Sequence, residues 1–153
     1  MMTAYKSLVR PQLEYAAKIW EHSVTSQTST IEMVQRRAAR FITCDYSRRS
    51  SVTSMLQELH LEKLKARRVR ARATMLFRTL KGWVEIPSDH LTPLNTNTRG
   101  HNQRFVRPMC RVNSYKDSFY PAVIALWNQL PQSLVDSESL EEFRRGIDRF
   151  EIP

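Results

Sequence analysis

From Leu61 to Val84, Val69, Ala73, Leu76, Phe77, Leu80 and Val84 recur at helical spacing and share one arc. A stripe of this kind requires a long helix with one buried face, and it needs other elements to cover it. The same period marks Tyr5, Leu8, Val9, Leu13, Ala16, Ala17 and Trp20, then Ile31, Val34, Ala38, Phe41 and Ile42. Towards the C-terminus it returns in Val123, Leu126, Trp127 and Leu130, and again in Leu140, Phe143, Ile147 and Phe150. These patterns predict an all-α fold, an irregular bundle of about five helices.

Local signals set the expected boundaries. Residues 4–22 read as one bent helix, with Pro11 kinking it or opening its second half. SVTSQTST at 23–30 reads as a loop whose last Ser or Thr caps the next helix, and Ser50 or Ser51 caps a short helix through Met55, Leu56 and Leu59. Asp117 or Ser118 opens a helix with Pro121 in its first turn, and Ser139 with Glu142 has capping-box spacing. Between 86 and 116 the period fails and Pro87, Pro93 and Pro108 interrupt, so that segment is expected to be loop, with at most a short strand pair near Phe105 and Val112. It is ordered only if something docks it. The expected organisation is therefore a helical region at 1–85, a loop-rich connector at 86–116 and a two-helix region at 117–153.

Charge narrows the function. Lys and Arg number 24 against 15 Asp and Glu, a formal net charge of +9. Residues 36–81 alone hold 13 basic and 3 acidic side chains, while 1–35 are neutral and 117–153 are acidic. A basic stretch so enclosed predicts a face for a polyanion, with nucleic acid the leading partner. In the long helix, positions 63, 67, 70, 74, 78 and 81 fall within an arc of about 80° and read Lys, Arg, Arg, Thr, Arg, Lys. Lys65, Arg68 and Arg72 charge the far side, so the first half of this helix is expected to be too cationic to be buried. The candidate phosphate-binding set is Arg36, Arg37, Arg40, Arg48, Arg49, Lys63, Lys65, Arg67, Arg68, Arg70 and Arg72. Guanidinium forks suit phosphate oxygens, and such clusters also serve nuclear import. The competing expectation is that some of these arginines pair with Glu138, Glu141 and Glu142.

Other classes are disfavoured. Three scattered glycines supply no phosphate-cradling loop. His22, His60, His90, His101, Cys44 and Cys110 lack the close couples that build zinc sites, so no metal or cofactor is expected. The longest apolar run, 122–127, is too short to span a membrane, and a chain without a secretory signal or disulfide framework is expected in a reducing, intracellular compartment, with nucleus or cytoplasm undecided. Most of Trp20, Trp83, Trp127, Tyr15 and Phe41 lie on apolar stripes, and all five read as core. Tyr46, beside Asp45, Ser47, Arg48 and Arg49, reads as exposed and available to stack on a base.

Three strings taken together carry a resemblance: YKSLVRPQLEYAAKIW at 5–20, VQRRAARFITCDYSRRSSVTSML at 34–56 and SFYPAVIALWNQLPQSLVDSESLEEF at 118–143. In this order they resemble the region after the polymerase palm in reverse transcriptases of non-LTR retrotransposons of the LINE (CR1/Jockey-like) type. The resemblance implies a thumb-like helical segment and C-terminal extension that hold template and product strands. It implies no catalysis in this chain, because polymerisation in that family uses an aromatic-x-Asp-Asp turn to hold two metal ions, and Asp45, Asp89, Asp117, Asp136 and Asp148 are isolated. The expectation is a non-catalytic fragment without palm or endonuclease. The alternative is a helical protein-interaction domain or relic that docks to a palm or self-associates through exposed apolar faces.

Overall fold

The computed structural model describes residues 1–15, 25–85, 89–95 and 100–150. Among them the fold is all-α, without a strand ladder. Three consecutive helical segments, Met2–Ala4, the π-helical Tyr5–Val9 and Arg10–Glu14, together form α1. Pro11 accounts for the wide turn: it offers no N–H to the carbonyl four residues back, and the chain relaxes to an i to i−5 bond from the Arg10 N–H to the Tyr5 carbonyl. The predicted bent helix is present to Glu14, and its part over 16–22 lies outside the described residues.

The remaining helices are α2 (Thr25–Thr43), α3 (Val52–Glu58), α4 (Leu64–Leu80), α5 (Asn113–Lys116), α6 (Phe119–Trp127), α7 (Gln132–Val135) and α8 (Leu140–Arg149). Two predicted caps are formed. Ser51 Oγ accepts from the Ser54 N–H, and Ser139 Oγ accepts from the Glu142 N–H at 3.1 Å. The expected loop at 23–30 is corrected over 25–30, since α2 begins at Thr25, and residues 23 and 24 lie outside the described residues. The polar Ser and Thr side chains there do not forbid a helix that tertiary packing favours further along.

The chain forms two compact units whose boundary falls within α4, between Arg68 and Val69, and not at the composition shift near residue 85. In the first unit Tyr5, Ala39, Val52, Met55, Leu56 and Leu61 make the core. At its centre the Tyr5 hydroxyl donates to Gln35 Oε1 at 3.0 Å, and Gln35 Nε2 donates to the Glu62 carbonyl at 2.7 Å. Gln35 thus sits buried inside an apolar stripe with its amide satisfied at both ends.

In the second unit Phe77 stacks on Phe143 with ring centroids 4.3 Å apart, and Trp127 lies 6.0 Å from Phe143. Ala73, Leu76, Val123, Ile124, Leu134 and Ile147 close around them. The segment before α6 is docked by that helix. Asn128 accepts from the Phe105 N–H at 3.0 Å and donates to its carbonyl at 2.8 Å, Trp127 Nε1 donates to the Gln103 carbonyl, and His101 Nε2 lies 2.8 Å from the Trp127 carbonyl. Phe105 pairs with Pro93 in a single antiparallel bridge, where the sequence pointed to Val112.

Candidate nucleic-acid interface

The cations of α2 and the loop after it belong to the first unit. Successive helical residues turn by about 100°, so burying Gln35 and Ala39 in the core turns Arg36, Arg37 and Phe41 outward. At the end of α2, Cys44 adopts a left-handed φ of 54°, and the Asp45 N–H reaches back to the Arg40 carbonyl at 3.2 Å. This closes the helix and starts a folded loop.

That loop is held by its own side chains. Asp45 Oδ1 accepts from the Ser47 N–H at 2.9 Å, and Ser47 Oγ accepts from the Arg49 N–H at 3.2 Å. Arg40 Nη1 donates to the Ser47 carbonyl at 2.9 Å and, more weakly, to that of Asp45 at 3.4 Å. Hydrogen bonds from the Ser50 hydroxyl and the Ser47 N–H hold the Asp45 carboxyl below its ordinary range, so it is ionised at neutral pH. Tyr46, Arg48 and Arg49 project from this loop into solvent. Lys63 and Lys65 are also exposed in this unit, and the Lys65 N–H is capped by Glu32 Oε1 at 2.8 Å.

The long helix departs from expectation. Arg68 is 4% exposed and Arg72 is 3% exposed, so α4 buries part of its cationic first half despite the charge. Arg67 forms a two-point ion pair with Glu14, and Arg70 pairs with Asp148 at 3.7 Å while donating to its carbonyl at 3.2 Å. The acidic partner on α8 is Asp148, where the sequence offered Glu138, Glu141 and Glu142. Arg40 is committed to the loop backbone. The predicted ridge is therefore not an open row of cations, because Arg67 and Arg70 are held by carboxylates and, on the far side, Arg68 and Arg72 are buried. Arg36, Arg37, Arg48, Arg49, Lys63 and Lys65 remain exposed, and among the described residues none of them is in an ion pair.

The aromatic readings divide as well. Trp127 is buried and Tyr46 is exposed, as the sequence suggested. Phe41, Tyr15 and Trp83 are exposed instead of buried, and Trp20 lies outside the described residues. The signal that would have found Phe41 was present: it lies off the 35, 39, 42 row, whose polar member, Gln35, disguised the true buried face.

Among the described residues no three His, Cys, Asp or Glu side chains converge as metal ligands, and no helix is long and apolar enough to cross a membrane. No family model, curated protein or solved structure matches this chain.

Proposed function

We propose that the chain is a non-catalytic nucleic-acid-holding module, corresponding to the thumb and C-terminal part of a LINE-type reverse transcriptase. One observation carries the reading: six cations of the predicted set stay solvent-exposed in the first unit, two of them on a loop fixed by Arg40 and Asp45. Backbone phosphates match such a set, and interactions of this kind position a strand without reading its sequence. The resemblance of 5–20, 34–56 and 118–143 to the post-palm region supports it independently.

The test is binding of an RNA/DNA hybrid, measured by fluorescence anisotropy across a salt series. Log affinity falls linearly with log salt. Changing Arg36, Arg37, Arg48 and Arg49 together to Ala weakens binding and flattens the slope by roughly 0.9 for each phosphate no longer neutralised. An unchanged slope and affinity in this quadruple variant overturns the reading.

A second reading has its own observation. Leu8, Val9 and Tyr15 are exposed at α1 and its C-terminal end, and such an apolar surface suits protein docking or self-association. Salt-insensitive self-association that is abolished on changing Leu8 and Tyr15 to Ser favours it.

A further inference from the structure

We propose that Phe41 and Tyr46 form a stacking platform for unpaired bases, so that the strand held at this face is single-stranded. This inference rests on the nucleic-acid reading above and specifies its ligand. Phe41 is 57% exposed on the outer side of α2 and Tyr46 is 66% exposed on the loop that Arg40 ties to the end of that helix. Neither ring is in contact with another aromatic ring among the described residues.

The surroundings decide what an exposed aromatic pair can accept. Arg37 lies one helical turn before Phe41 on the same row, and Arg36 one turn before Arg40. Arg48 and Arg49 follow Tyr46 within the pinned loop. A ligand that satisfies both sets must present flat apolar faces and regularly spaced negative charges. A single strand with splayed bases does so, because each base offers a π face and each linkage a phosphate. A duplex offers the charges but keeps its bases stacked internally, so it engages the cations and leaves both rings in water. The hydrogen bonds at Asp45 and Ser47 hold the backbone on either side of Tyr46 before binding, which lowers the ordering cost of stacking.

The experiment compares a 20-mer of oligouridylate, the same length of abasic oligonucleotide and a blunt 20-base-pair duplex, each binding the full chain. In the Phe41→Leu/Tyr46→Leu variant, oligouridylate affinity falls by about 10-fold or more, while duplex and abasic affinities change by less than about 2-fold. Phe41→Tyr/Tyr46→Trp, which keeps both rings, retains oligouridylate binding. Both positions are exposed, so an unchanged melting temperature certifies the folded state of each variant. Equal oligouridylate affinity in the Leu variant and the parent, with the quadruple Arg variant still defective, overturns the platform and leaves the phosphate face intact. Oligouridylate and duplex binding that both survive the quadruple Arg change overturn the nucleic-acid reading itself.

Discussion

The Tyr5 hydroxyl donates to Gln35 Oε1 at 3.0 Å across 30 residues of sequence, joining the π-helical turn of α1 to the buried row of α2. The bond places a phenol in the core of the first unit, and burial raises the Tyr5 pKa above its ordinary value of 10.0. Tyr5→Phe leaves the Gln35 oxygen without its donor in a buried site, and a loss of about 1–3 kcal/mol is expected at neutral pH. The sign of the alkaline effect follows from linkage. The unfolded phenol ionises first, near its ordinary value, so native Tyr5 contributes stability that is intact below that pH and is lost as pH rises through the raised native value. Denaturant titrations at several pH values check both effects: the parent weakens as pH climbs past the ordinary phenol value, and the Phe variant lacks the Tyr5 share of that slope.

Arg68 is buried, and its Nε and Nη2 have no hydrogen-bond partner among the described residues. A desolvated cation so placed costs more than a packed apolar chain of similar length. Arg68→Met is expected to stabilise the protein by roughly 1–4 kcal/mol, seen as a rise of several degrees in melting temperature, and to leave hybrid binding unchanged. A fall in melting temperature would show that this guanidinium stabilises the fold.

Asn128 imitates a neighbouring strand by bonding both the N–H and the carbonyl of Phe105. Asn128→Ala removes both bonds, and a cost of about 1–3 kcal/mol is expected, concentrated in the segment that α6 docks. Hydrogen exchange checks this locally: amides near 101–106 lose protection while those of α3 do not.

Cys44 closes α2 with a left-handed φ of 54° and is exposed, the position where glycine carries no Cβ penalty. Cys44→Gly is expected to stabilise the first unit by about 0.5–1 kcal/mol. Gly82, with φ of 72° after α4, is the converse case: Gly82→Ala is expected to destabilise by a similar amount although nothing lies within 4 Å of the added Cβ. Chemical denaturation of the two variants measures the pair of opposite signs.

How much was legible in the sequence follows from how far each cause reaches along the chain. Helical period and the caps at Ser51 and Ser139 are governed by residues within one or two turns of each other, so the all-α class and most helix positions were readable, whereas α5 at Asn113–Lys116 lies in the stretch expected to be loop. Basic clustering was readable for the same reason, being a property of composition. Which cations remain at the surface was not. That depended on Glu14 meeting Arg67 across 53 residues and Asp148 meeting Arg70 across 78, and on α4 being covered around Arg68 and Arg72. Gln35 shows the same limit from the other side. A polar residue can occupy an apolar stripe only if distant groups such as Tyr5 and Glu62 satisfy it, and once they do, the rotation of α2 is fixed and Phe41 is left in water. Sequence thus set the helices and the charge, and tertiary contacts chose the face, because burial and pairing are decided by neighbours that lie far apart along the chain.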